Sequence, residues 1–128
     1  MPIKIETLDH LVLTVADVEL SCEFYASILG MEIITFAGGR KALKFGRQKI
    51  NLHQQGAEFE PKARHPLPGS ADLCFISTSE MTNILRHLND YGIEIEQGPV
   101  QRSGACGAIE SVYIRDPDQN LVEIACYL

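Results

Sequence analysis

Several things are missing from this chain, and each absence excludes a class of protein. None of its 128 residues belongs to a run of about 18 apolar residues, so no membrane-spanning helix is expected. The opening MPIKIETLDH carries no apolar stretch behind a basic one, so it does not read as a secretory signal. Lys and Arg number 11 against 17 Asp and Glu, the net charge is −6, and no basic cluster interrupts that balance. A surface of that sign repels phosphate, so no nucleic-acid partner is expected. None of the four cysteines forms a C-x-x-C pair, which argues against a zinc knuckle or a thioredoxin-like motif. A cytoplasmic protein that binds neither membrane nor nucleic acid is the expectation.

Enough apolar sequence is present, 45% of the residues, to build one domain with a real core. LDHLVLTV (8–15) alternates, with Leu11, Leu13 and Val15 on one side and His10, Val12 and Thr14 on the other, which predicts a strand. Asp17 is placed to cap a helix carrying Val18, Cys22, Tyr25 and Ile28 at helical spacing, and Gly30 can end it. MEIITF (31–36), RKALKFG after the Gly38-Gly39 turn, and KINLHQQ (49–55) follow as strands. Residues 56–70 hold three prolines and no periodicity, and read as a linker or a loop over a site. The order then recurs. ADLCFIS (71–77) is a predicted strand, Ser79 the expected cap of a helix with Met81, Ile84, Leu85 and Leu88 on one face, and Gly92 its stop. IEIEQG is expected to begin a strand, followed by a loop containing Gly104 and Gly107. ESVYIRD (110–116) and LVEIACY (121–127) are strands around a DPDQN turn. Cys22, Cys74 and Cys126 read as small core residues and Cys106 as a more exposed one.

A shift of 62 superposes the two halves: Leu11 on Leu73, Gly30 on Gly92, Glu32 on Glu94, LGMEI on YGIEI. The last strands align only if the second copy has extra residues, expected in a longer inner loop. The predicted fold is therefore α+β, a single domain over 1–128 made of two βαβββ modules, about 7–55 and 70–128, whose curved mixed sheets form a cup.

Alternation then sorts the polar residues. If Leu11, Leu13, Ile50, Leu52, Leu73, Phe75, Val122 and Ile124 cover the helices, then His10, Asn51, His53, Asp72 and Glu123 face the other way. Imidazole and carboxylate are the usual ligands of zinc, nickel, manganese or iron in nitrogen/oxygen sites, and two histidines with one carboxylate leave positions open for a substrate oxygen. Other readings stand beside this one. A histidine at a strand start is often simply hydrogen-bonded, and a carboxylate within an apolar strand, such as Glu123, can be a structural ion-pair partner. His65 and His87 have no such placement.

LDHLVLTV, FYASILGMEI and YIRDPDQNLVEI, in that order, make about residues 7–128 resemble the vicinal oxygen chelate superfamily of glyoxalase, bleomycin-resistance and dioxygenase proteins. RKALKFG, INLH, FEPKA and HPLPGS resemble most closely its branch named glyoxalase domain-containing protein 5. The resemblance implies a metal held by the first and last strands of each module, which here gives His10, Asn51, Asp72 and Glu123, with His53 two residues on from Asn51. Where glyoxalase I carries a carboxylate, this chain has Asn51, which cannot take a proton. The function implied is a metal-dependent lyase or isomerase, like lactoylglutathione lyase, acting on a small oxygen-chelating substrate such as a glutathione hemithioacetal. Its divalent ion would sit on His10, His53 and Glu123, with weaker claims for Asp72 and Asn51. Glu123 is the candidate base, and Arg102, Tyr113 and Arg115 are candidates to orient an anionic substrate. The alternatives are an extradiol-type dioxygenase, a thiol transferase, or a metal-free ligand-binding resistance protein. A homodimer is also implied, and exposed strand edges make pairing plausible.

Overall fold

The computed structural model describes residues 2–128 and has an α+β architecture. The chain divides into two compact units, Met1–Leu67 and Pro68–Leu128, each with its own four-stranded mixed sheet.

In the first unit, β1 (His10–Val15), α1 (Val18–Ser27), β2 (Glu32–Phe36), β3 (Arg40–Phe45) and β4 (Gln48–Gln54) give the sheet order β1-β4-β3-β2. β1 and β4 run parallel, a pairing that needs a long crossover, and α1, β2 and β3 supply it. Leu13 and Val15 are buried while His10 and Val12 are exposed, so the alternation has the expected sense. Asp17 caps α1: its Oδ1 accepts from the amides of Glu19 at 3.0 Å and Leu20 at 3.2 Å. Past the other end, Gly30 takes φ +68°, a left-handed conformation that side chains disfavour. Between the ends, Cys22 and Tyr25 are buried, and α1 packs chiefly on β3.

The second unit repeats the order with β5 (Asp72–Ile76), α2 (Met81–Asp90), β6 (Gln97–Gly104), β7 (Gly107–Arg115) and β8 (Leu121–Tyr127), arranged β5-β8-β7-β6 with β5 parallel to β8. Val112, Ile114 and Val122 are fully buried, and Ile84 and Leu88 of α2 are also core residues. Beyond β7, Asp116 holds the DPDQN turn. Its Oδ1 accepts from the amides of Asp118 and Asn120 at 2.8 and 2.9 Å, its Oδ2 from Asn120 Nδ2 at 2.8 Å, and Asn120 Oδ1 accepts from the Ala71 amide at 2.8 Å.

Three expectations are corrected. Ser79 does not cap α2. The N-cap is Glu80, without a side-chain cap bond, because Ser79 is held earlier by its amide on Ser77 Oγ (3.0 Å) and its carbonyl on Cys126 Sγ (3.1 Å). Residues 93–96 are not strand, and the strand that follows runs from Gln97 through Gly104. The hairpin loop of the second copy is not the longer one: β6 and β7 have 8 and 9 residues against 5 and 6 for β2 and β3, only residues 105–106 join them, and the turn before the last strand is longer as well, 116–120 against 46–47.

Candidate functional site

Each sheet has one face turned from its helix, and the ladders fix which residues share it. In the first unit, His10 is level with Lys49, Val12 with Asn51 and Ala42, and Thr14 with His53. In the second, Asp72 is level with Leu121 and Arg115, Cys74 with Glu123 and Tyr113, and Ile76 with Ala125 and Ser111. His10 therefore stands to Asn51 as Asp72 stands to Glu123: each pair sits diagonally across a parallel ladder, one step apart.

His10 is exposed, and its Nδ1 lies 2.8 Å from Asp9 Oδ2, which leaves Nε2 for another partner. Asn51 Oδ1 is buried without a hydrogen-bond partner. The ladder does not bring His10 and His53 together. They are four residues apart in register, roughly 13 Å at about 3.3 Å per residue. Side chains standing side by side on one sheet face cannot close such a gap onto one ion with bonds of about 2 Å. His53 is instead a covered residue, 8% exposed, with its ring edge-on to Phe59 at 5.6 Å and its Nδ1 unpartnered. Burial first, then the charge of Arg40, pulls its pKa down, so it favours the neutral form.

In the second unit, Glu123 Oε2 accepts a 2.5 Å hydrogen bond from Ser111 Oγ, a charge-assisted length. Ser111 is fully buried, so the carboxylate is held by a fixed donor. Cys74 counts as an exposed residue, and the expectation of a core cysteine is corrected. Its thiol is nonetheless pushed up to about 11, by local burial first and then by the charge and hydrogen bonding of Glu123. It is a neutral thiol beside a carboxylate and not a nucleophile in waiting. Arg102 Nε donates to Tyr113 Oη at 3.0 Å. Arg115 is committed elsewhere: Nε and Nη2 bind the two oxygens of Glu96 at 2.8 and 3.0 Å, and Nη1 binds the Gln119 carbonyl. That bidentate bond holds Glu96 below the usual carboxylate range.

Among the described residues, no three His, Cys, Asp or Glu side chains are gathered into a metal-holding group. Taken unit by unit, the donors are of types that divalent ions accept: in the first an imidazole and an amide oxygen buried without a partner, in the second two carboxylates. Sequence reasoning missed Ser111 and Arg40. Ser111 interrupts an apolar strand on Tyr113's side, and that interruption was its available signal.

Against known proteins, residues 7–124 match the model of the Glyoxalase/Bleomycin resistance protein/Dioxygenase superfamily. The chain belongs to that superfamily. Superfamily relatives include the virulence protein STM3117 of Salmonella typhimurium, 55% identical over 124 residues that cover 97% of this chain and 86% of the relative. The crystal structure of that protein superposes with a TM-score of 0.97, covering 98% and 100% of the two chains at 54% identity. The glyoxalase domain-containing protein RDO1 of Mycosarcoma maydis is 51% identical over 125 residues, 98% of this chain and 70% of the relative. Lactoylglutathione lyase from Agrobacterium tumefaciens shares the fold at a TM-score of 0.74 and 25% identity, over 96% and 95% of the two chains. No helix among the described residues is long and apolar enough to cross a membrane.

Proposed function

We propose that this chain is a metal-dependent lyase or isomerase of glyoxalase type, acting on a small substrate that offers two neighbouring oxygens. The single observation that carries the reading is the set carboxylate of Glu123, fixed by Ser111 Oγ at 2.5 Å on the face that also bears Asp72. The matching diagonal of His10 and Asn51 in the other sheet supports it. Asp72 and Glu123 in the second unit, and His10 and Asn51 Oδ1 in the first, are the residues this reading offers as donors to a divalent ion. His53 is better suited to another task. Such an ion supplies Lewis-acid polarisation of substrate oxygens.

The rest of the chemistry belongs to the side chains. Glu123 takes the proton from the substrate carbon and returns it to the neighbouring one, and the Ser111 hydroxyl keeps the carboxylate aimed. Asn51, an amide, cannot share that work. Tyr113, level with Glu123, and Arg102 on its hydroxyl orient the anionic part of the substrate. Arg115 serves through Glu96 as a strut of the same sheet. The reading includes a cytoplasmic homodimer and a place near the branch named glyoxalase domain-containing protein 5, supported by RKALKFG, INLH and HPLPGS.

Elemental analysis of protein purified without chelator, with titration calorimetry and a hemithioacetal conversion assay, tests it. The wild type should hold stoichiometric metal, and His10→Ala and Glu123→Ala should each weaken metal binding by about 100-fold while circular dichroism stays unchanged. Unchanged affinity in both variants would overturn the metal reading. Metal binding without hemithioacetal turnover would shift the activity to oxygen-consuming catechol cleavage or to thiol addition to epoxides, each assayed directly.

A further inference from the structure

The first unit contains a cavity of about 650 Å³ at one end of its sheet, bounded by the start of α1, the β2–β3 turn and the segment after β4. Arg40, Lys41, Gln54 and Phe59 are among the residues lining it. Arg40 is half-buried, and among the described residues it has no carboxylate within ion-pair distance. Its guanidinium lies on the Phe59 ring, 3.6 Å from the centroid. A guanidinium stacked by its face keeps its edge of N–H donors available. Lys41 is likewise without a carboxylate, its Nζ donating to Thr35 Oγ1 at 2.7 Å.

The acids nearby are already engaged or lie on the rim. Asp17 Oδ1 takes the amides of Glu19 and Leu20, and Glu58 takes the Gly56 amide beside Lys62. Glu19 starts α1 on the same lining. Phe59 also packs steeply against the ring of His53, which is more than nine-tenths buried, has no partner on Nδ1, and adjoins the cavity through Phe59 without lining it. Lys41 pairs with Leu52 across β3 and β4, so Arg40 and His53 are the next residues along those strands and share a face. A half-buried cation without a counter-ion and a buried imidazole nitrogen without a partner each carry an unmet cost, and one ligand can relieve both.

We propose that Arg40 and His53, bridged by Phe59, form an oxyanion-binding site in the first unit that takes a carboxylate or phosphate group. The anion accepts from the guanidinium edge and from the imidazole with its proton on Nδ1. Phe59 holds both donors in place through its two ring contacts. The site needs no metal and is independent of the activity proposed above.

Nitrogen-15 NMR of the whole chain, stripped of metal with EDTA and then dialysed free of it, tests it, with inorganic phosphate, acetate and neutral acetamide as probes. Phosphate or acetate should produce saturable shifts at the His53 ring and Arg40 Nε, and acetamide none. Tighter phosphate binding would assign a phosphate-type ligand, and tighter acetate binding a carboxylate. Arg40→Gln should weaken binding by about 10-fold or more, the loss expected for a charged hydrogen bond. Arg40→Lys should keep a reduced affinity and serves as the folded control. Absence of shifts at both residues with both anions, or unchanged affinity in Arg40→Gln, would overturn the proposal. Because the protein is metal-free throughout, either result leaves the metal reading to its own test.

Discussion

Cys74 stands directly across the parallel β5–β8 ladder from Glu123, and the thiol acts as a neutral neighbour of the carboxylate. Removing the charge opposite should release the thiol. In Glu123→Gln, the pH midpoint for alkylation of Cys74 by iodoacetamide should move down from about 11 toward the ordinary value. Peptide mass spectrometry of chelator-treated protein reads it, and an unmoved midpoint would leave burial as the sole cause.

Ser111 should tune the site without being a ligand itself. Ser111→Ala removes the 2.5 Å bond to Glu123 Oε2 and leaves the carboxylate free to turn. Metal affinity should fall about 10-fold to 100-fold, the range typical of a lost supporting hydrogen bond. Ser111→Thr, which keeps the hydroxyl, should recover part of it. Titration calorimetry on the three proteins decides.

His53 gives a pH dependence of definite sign. Its folded pKa lies below the ordinary 6.5, chiefly through burial. As pH falls through that ordinary value, the unfolded chain takes up a proton that the folded chain refuses, so stability declines until the folded value is passed. Urea unfolding at about pH 7.5 and about pH 5.5 should show a smaller loss for His53→Phe than for the wild type. Equal losses would remove His53 from the acid response.

The Asp116 turn should be the costliest polar feature of the second unit to break. Asp116→Ala would strand the amides of Asp118 and Asn120 and the side chain of Asn120. Asp116 and Asn120 are 2% and 1% exposed, so water cannot readily replace those bonds. A loss of about 2–4 kcal/mol is expected in urea unfolding.

Two glycines should differ in a way that separates backbone strain from crowding. Gly38 has φ +79° with nothing within 4 Å of an added Cβ, so Gly38→Ala should cost about 1–2 kcal/mol, from conformation alone. Gly98 has φ +109°, and an added Cβ would lie 2.4 Å from the Ser111 carbonyl oxygen. Gly98→Ala should cost about 3 kcal/mol or more and should also disturb Ser111, the support of Glu123. Thermal unfolding of both variants ranks them.

The fold was legible wherever apolar spacing had one meaning. Leu11, Leu13 and Val15 alternate because one face of β1 is buried, and Val122 and Ile124 do the same for β8. Side-chain facing followed from that alternation, which is why His10, Asn51, Asp72 and Glu123 could be sorted to one side. Register could not be read the same way: His10 and His53 share a face but stand four residues apart, and only the ladder reveals the gap. Ser79 looked like a cap by type, yet its backbone is engaged one step too early. Cys74 looked apolar by its neighbours, although the strand edge leaves it exposed. Arg40 gave no signal at all, since its importance rests on a missing counter-ion.

The longer β6–β7 hairpin has a bearing on how this chain can vary. The two copies differ in length at a hairpin, while β5 and β8, which carry Asp72 and Glu123, pair with each other at the side of the sheet away from β6. Residues can be gained or lost at that tip in matched pairs, one per arm, with the alternation of everything downstream kept in phase. A tip remodelled in this way offers a route to new substrate shapes that leaves the acid on β8 pointing where it does now.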